Sequence, residues 1–521
     1  MSPRTQQLLS GLLLIGGLLA VWQAADVARR SLIKALFVDG AVADSDPPLA
    51  SSTAPGLAPT DRVRVVLLDG LSAAHADTLP HLTDLCARGQ ALTLDVGFPT
   101  VSLPVQHVLW TGLTQQQSGV QYHIGKLATP AHASPTQVDS VAVAESHPEI
   151  VHSFGFTSAA PPLPLETTPG APPELASPDV FPDAALAAIA GPARLAFVHV
   201  LRIDDAGHQS GAASPEYAAA ATWSDDLLAT LWARAPADPR TRWFILADHG
   251  HRPAGGHGDG EPDIRRVRAC VIGGVDPGPV RDVHLVDLAR ALADSLGVAL
   301  DPAARGRPWS AALADPAADA TLPGPGPLRT LLAALLVLTG LLALPRTAPS
   351  AQARSAAQPA QARSAVKSVH THPRGDLLLA ALLGLAWPLL GLVVLTSWHG
   401  APTLSNPVVF PPRGLDMLHA AAPAMLVLSA LAVLAARRGW SSPRIAAVAL
   451  APWTACTLAV LVLARVPEWL VQGLPPLTPR VTALASVLLA QGRLACLVLA
   501  AILVLFPLLE RIVRTLRSPG T

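Results

Sequence analysis

The chain is poor in cysteine and in charge, and each shortage closes off a class of protein. Four cysteines occur in 521 residues, none at Cys-x-x-Cys spacing, which argues against a thiolate zinc cluster and against a dense disulfide framework. Cys86 and Cys270 would be able to pair in an exported domain. Two buried thiols are the expected state, because free cysteine is among the most buried residue types. Charged residues make up 14% of the chain and balance to a formal net charge of +0, so no basic excess exists to hold nucleic acid. Apolar residues fill the space that charge leaves: hydrophobic content is 50% and mean hydropathy +0.40, too high for an ordinary soluble multidomain protein. Part of the chain is therefore expected to lie in lipid. The basic residues are almost all Arg, and Ala, Leu and Pro are abundant, a composition that points to a GC-rich bacterial genome.

An apolar run from about Leu8 to Ala25 is long enough to cross the hydrocarbon core, which takes roughly 20 helical residues. It reads as the core of an N-terminal anchor over residues 1–40, with cleavage after Ala24 and Ala25 as the alternative. Apolar stretches return near 329–345, 376–397, 415–436, 445–465 and 483–508, giving about six spans in total. Arg346, Arg354, Arg363, Lys367 and Arg374 load the loop 346–374, and Arg511, Arg514 and Arg517 load the tail. Such an excess marks cytoplasmic segments. The large segment between the anchor and the polytopic region 326–521 is then extracytoplasmic. Arg29, Arg30 and Lys34 argue the other way and are outvoted by the downstream loops. Arg493 lies in the last apolar stretch; either it is a functional intramembrane charge or the final helix starts after it.

Residues 41–60 are rich in Pro, Ser and Ala and read as a tether. Beyond them, Val63–Leu68 is a continuous apolar, β-branched run that suits a strand buried on both faces of a parallel sheet. Helical pattern follows over Leu79–Arg88, then a strand near Ala91–Val96 and a helix after Leu103. Strands at Leu195–Leu201 and Trp243–Ala247 flank a helix over Pro215–Arg234. This alternation predicts an α/β domain over 61–325, doubly wound, with sites outside the carboxyl ends of its strands. The Pro-rich stretch from about Ala128 to Pro182 looks like an insertion or lid.

Four of those strand ends or loops carry chemistry-bearing residues. Asp69 closes the first strand, and Ser102 precedes a helix. Asp204 and His208 follow the Leu195 strand within Arg-Ile-Asp-Asp-Ala-Gly-His. Asp248 and His249 follow the Trp243 strand, with His257 a few residues on. Alone, each has a bland explanation, such as an N-cap for Ser102 or a turn residue for Asp69. Together they supply three carboxylates, three imidazoles and a hydroxyl. That set suits a pair of zinc ions about 4 Å apart clamping an in-line displacement. His251 lies close by, and a plain loop histidine is its expected role.

In order and spacing, the strings VVLLDG, PTVSLPVQHVLWTG, RIDDAGH, LADHGH and GGHGDGEPDIRRVRACVIGG resemble the nucleotide pyrophosphatase/phosphodiesterase branch of the alkaline phosphatase superfamily. The resemblance implies an alkaline-phosphatase-like domain in which Asp69, Ser102, Asp248 and His249 hold one zinc and Asp204, His208 and His257 the other. Ser102 would be the nucleophile. His123 stands where relatives place an Asn against the phosphoryl oxygen, and an imidazole can still donate there; Tyr122 or Lys126 could share the task. No Cys-x-Pro-x-Arg string occurs at the nucleophile, which argues against a sulfatase of the same superfamily.

An anchor, an external domain of this kind and a polytopic C-terminal half is a layout similar to the glycosylphosphatidylinositol ethanolamine-phosphate transferases. It implies transfer of phosphoethanolamine, or another phospho-alcohol, from a phospholipid through a phospho-serine to a glycan or lipid acceptor. A membrane phosphodiesterase that uses water is the alternative, and a transporter or scaffold with a degenerate domain the remote third.

Overall fold

The computed structural model describes residues 3–35, 56–314 except 124, 162–179 and 236–237, then 450, 453, 454, 457 and 484–501. It divides into two compact units. One holds the N-terminal and C-terminal helices, and the other holds the residues between them.

The second unit is built on an eight-stranded sheet. Its strands are β1 (Arg62–Leu68), β2 (Gln90–Asp95), β3 (Ser140–Ala144), β4 (Ser158–Ala160), β5 (Leu195–Val200), β6 (Thr241–Leu246), β7 (Arg266–Ile272) and β8 (Gly278–His284), in the order β4-β3-β5-β1-β6-β7-β2-β8. β1 lies between β5 and β6, parallel to both. β7 runs antiparallel to both of its neighbours. Two successive reversals restore the direction, so β1, β2, β5 and β6 all end on the same edge of the sheet. The sheet is thus mixed rather than uniformly parallel.

The continuous apolar runs sit where both faces are covered: every residue of β5 and β6 is buried, as is β1 after its first residue. Arg64 is the exception in kind, a buried guanidinium inside β1. It donates to the carbonyls of Ile189, Gly191 and Ala193 at 2.8–3.0 Å, satisfying backbone at the carboxyl end of the helix Phe181–Ala190. Burial pulls its pKa down to about 10.

Two expectations are corrected here. Part of the Pro-rich stretch after Ala128 is no insertion: Ser140–Ala144 pairs with β5 in register from Ser140 and Leu195, and Ser158–Ala160 extends the edge. Strands of five and three residues between prolines carry too short a period to read. Cys86 and Cys270 form a disulfide, with Cα atoms 5.3 Å apart. It joins the end of the helix Pro80–Cys86 to β7. Their separation of 184 residues left no local sign of the contact.

In the first unit, a helix over Pro3–Ala35 contains the apolar stretch Leu12–Arg30, and a second spans Leu484–Ala501. Both are long and apolar enough to cross a membrane; a signal sequence would pass the same test at the N-terminus. Leu18 and Ala25 pack with Leu489, Ala495, Cys496 and Leu499. The second helix is continuous through Arg493, which excludes a start after that residue. Arg493 pairs with buried Asp26 and lies 4.7 Å from the Trp22 ring centroid. The predicted spans at 329–345, 376–397 and 415–436, most of 445–465, and the basic loop 346–374 lie outside the described residues.

Candidate metal centre

Asp69 is the first residue past β1, and its N–H donates to the Val200 carbonyl at 2.9 Å, extending the β1–β5 ladder by one bond. The chain then turns at Gly70, with φ +75°. A Cβ there would meet the Cα of Asp204 at 2.9 Å, so glycine is what lets this turn approach the Asp204 helix. Tyr217, from the helix Pro215–Arg234, donates to the Gly70 carbonyl and accepts from the Ser72 N–H. Burial pushes its own pKa up to about 12.

Ser102 opens the helix Ser102–Thr111, where backbone N–H groups lack intrahelical partners and favour negative charge. Its Oγ lies 3.4 Å from Asp69 Oδ1 and 3.2 Å from His249 Nε2. Asp248 Oδ1 accepts from the N–H groups of Gly70 and His249 at 3.1 and 3.0 Å. Its Oδ2 is buried without a hydrogen-bond partner among the described residues.

Asp204 and His208 stand one turn apart on the helix Arg202–Ser210, Oδ2 to Nε2 at 3.4 Å, as an i, i+4 spacing dictates. Glu145, just past β3, accepts from the N–H groups of Leu201 and Arg202 at 3.0 Å each and so pins the start of that helix. His257 arrives on a loop tied to the Ser102 loop: Thr100 Oγ1 donates to the Asp259 carbonyl and accepts from the Gly258 N–H. His257 Nδ1 lies 2.7 Å from the Thr100 carbonyl, so Nδ1 carries the proton and Nε2 is a free lone pair. That Nε2 is 3.0 Å from His208 Nε2 and 3.4 Å from Asp204 Oδ1.

The seven predicted ligands are thus brought together from separate segments. His123, expected as a phosphate contact and not as a ligand, is half-buried in the loop following Gln115–Ser118, outside both candidate metal groups. Two histidines were missed. His251, expected as a plain loop residue, is buried with Nε2 2.6 Å from Asp204 Oδ1 and falls in one group with Asp204, His249 and His257. Its spacing from Asp248 in Asp-His-Gly-His was the available signal. His199 sits inside β5 with Nε2 2.6 Å from Asp69 Oδ2; an imidazole in an otherwise apolar strand was the clue there.

The electrostatics call for cations. Burial, then the nearby Asp248 and Asp204, raise the Asp69 carboxyl well above its ordinary range. Burial raises Asp248 as well. Asp204 goes the other way: burial alone would raise it, but His208, the His251 hydrogen bond and His257 bring it well below. Burial depresses His257 strongly and His251 to about 4, leaving both imidazoles neutral at pH 7. Crowded carboxylates, an orphaned Asp248 oxygen and two imidazole nitrogens 3.0 Å apart fit divalent ions at two positions. One is framed by Asp69, Asp248 and His249, the other by Asp204, His249, His251 and His257.

Residues 172–261, which carry five of these ligands, match the family described as type I phosphodiesterase / nucleotide pyrophosphatase. The chain is also 38% identical over 75 residues to GPI ethanolamine phosphate transferase 1 of Yarrowia lipolytica, a match covering 14% of this chain and 8% of that protein. Murine ectonucleotide pyrophosphatase / phosphodiesterase 5 is similar in structure at 14% identity, covering 48% of this chain and 98% of that one with a TM-score of 0.38. An alkaline phosphatase superfamily protein from Vibrio parahaemolyticus is similar at 15% identity, covering 56% and 79% with a TM-score of 0.35. The family match thus lies wholly within the second unit and covers residues 172–261 of it.

Proposed function

We propose that the protein is a membrane-bound phosphoryl-transfer enzyme that works with two zinc ions. Asp69, Ser102, Asp248 and His249 would hold one ion and Asp204, His208 and His257 the other, with His251 either joining the second set or orienting Asp204. Bound zinc would supply Lewis-acid stabilisation of the oxygens that gain charge during displacement. Ser102 is the nucleophile: Oγ gives up its proton and bonds to phosphorus as the ester P–O bond breaks, the donor's alcohol leaves with that proton, and the acceptor hydroxyl then attacks phosphorus, breaks the P–Oγ bond and returns a proton to Ser102. The helix behind Ser102 directs its free N–H groups at the phosphate. One observation carries this reading, namely that Ser102 Oγ sits at a helix N-terminus within 3.4 Å of two side chains of one metal group.

The favoured donor is a phospholipid with a phosphoethanolamine or similar head group, and the acceptor a glycan or lipid hydroxyl. The short match to a GPI ethanolamine phosphate transferase supports this. The alternative, a phosphodiesterase that uses water, is supported by the family matched over 172–261. The layout follows: an anchor over 1–40, a tether over 41–60, the catalytic domain over 61–325 and a multi-pass region over 326–521. The catalytic domain faces outward from a bacterial cell membrane. The Cys86–Cys270 disulfide supports an oxidising compartment.

Incubation with phosphatidylethanolamine labelled in its head group tests both readings. Label trapped on Ser102 and passed to an added acceptor is the expected result. Free phosphoethanolamine with no acceptor product would leave the hydrolase; no label on Ser102 would reject the mechanism.

A further inference from the structure

We propose that His199 is a positioning residue, holding one oxygen of Asp69 so that the other is presented to Ser102 and to the metal site, an inference that rests on the two-metal reading above.

Asp69 has its two oxygens divided. Oδ2 lies 2.6 Å from His199 Nε2, whereas Oδ1 lies 3.4 Å from Ser102 Oγ and 3.3 Å from His249 Nε2. Each is turned to a different task. A carboxylate that must bind metal through one oxygen has a torsion free to swing, and a donor on the other oxygen removes that freedom. His199 is placed to be that donor. It pairs with Leu67 in the β1–β5 register, two residues before Asp69, so the strand ladder itself aligns the ring with the end of β1.

The ring has little room to do anything else. It is wholly buried and stacks on Phe197, centroids 5.8 Å apart and planes 18° from parallel. Its Nδ1 has no hydrogen-bond partner among the described residues, so Nε2 is the nitrogen that carries the proton toward an ionised Asp69. Gln106, on the helix that Ser102 opens, places its amide nitrogen 3.3 Å from the same Nε2 and leaves its Oε1 without a partner among the described residues, an arrangement that turning the amide over reverses. With Oε1 facing the ring, the amide would share that N–H. His199 thereby links the Asp69 turn to the nucleophile's helix. A buried histidine serving only as filling would not need a nitrogen against the carboxylate, and a phenyl ring would pack there as well.

The test uses the full-length protein in detergent, stripped of metal and titrated with zinc against a competing chelator. His199→Phe is expected to weaken one of the two zinc ions by about 10- to 100-fold, the loss typical when an outer-shell partner is removed, and His199→Gln, which keeps an N–H near the Nε2 position, to stay within about threefold. Asp69→Asn is the control. Zinc binding by His199→Phe equal to wild type, while Asp69→Asn loses an ion, would overturn the proposal alone. If Asp69→Asn also binds two ions normally, the two-metal reading fails first. Should His199→Phe not fold, histidine labelled with 15N in the zinc-loaded wild type decides the matter. An Nε2–H tautomer at His199 is expected, and an Nδ1–H tautomer would refute the role.

Discussion

The two halves of the candidate metal centre are built with opposite chemistry. Around Ser102, two buried carboxylates, Asp69 and Asp248, face His249, with His199 behind Asp69, and both carboxyls are raised. Around Asp204, a single carboxylate faces His208, His251 and His257, and it is lowered. The first half is short of positive charge and depends on a cation. The second has its one carboxylate already held by the His251 ring at 2.6 Å. The half that holds Ser102 is therefore the half whose carboxylates crowd one another most, a placement suited to the proposed nucleophile, on whose oxygen negative charge would grow.

That contrast can be broken at several points. The largest effect is expected from Asp248→Asn, which removes one of two charges at the Ser102 half. Zinc affinity there should fall well beyond the roughly 100-fold seen for outer-shell changes, and phosphodiester turnover should fall with it. Isothermal titration and a chromogenic diester assay would measure both; retention of two tight ions would refute the assignment.

His257→Ala should cost less, about 10- to 100-fold in affinity for the second ion, because His251 and His208 remain beside Asp204. A loss equal to that of Asp248→Asn would erase the distinction between the halves.

Metal removal sharpens it through pH. His199 and His251 are depressed to about 3 and about 4. The stability they contribute is full above the ordinary imidazole value near 6.5 and is lost as pH falls toward those lower values. Asp69 has the opposite sign: its raised carboxyl favours the folded state in acid, and that contribution is lost as pH rises through its folded value. Zinc should therefore raise the melting temperature most at neutral and alkaline pH, by roughly 5–10 °C at a hundredfold excess over Kd, and least near pH 4. Thermal scans with zinc and with chelator would show it, and a pH-independent shift would refute it.

The smallest effect belongs to His208→Gln. This side chain is 44% exposed, and its loss should weaken the second ion by less than about tenfold. A larger loss, measured by the same chelator competition, would make His208 the dominant ligand of its half.

Much of this was legible in the residues. The apolar runs of β1, β5 and β6 announced themselves because both faces of each are covered, and each ends in the polar residues that form the centre. The helix expected over Pro215–Arg234 lies at those residues. The edge strands β4 and β8 and the interior strands β3 and β7 were missed: β4 spans three residues, β8 is mostly exposed, and the apolar runs of β3 and β7 are short. The pairing of Cys86 with Cys270 was misjudged because 184 residues separate two thiols that only the packing of a helix on β7 brings together. His199 and His251 were passed over for the same reason: their partners, Asp69 and Asp204, lie 130 and 47 residues away.

By itself the sequence determined which residues could serve: carboxylates, imidazoles and a serine, each at the end of a buried strand or the start of a helix, with backbone preferences that are local. The tertiary structure alone decided how they divide. Two antiparallel pairings through β7 put four strand ends on one edge, and from that came which carboxylates repel, which imidazoles relieve them and which oxygen of Asp69 is left facing the serine. Charge interactions and hydrogen bonds depend on distance in space, and those distances are set by the sheet.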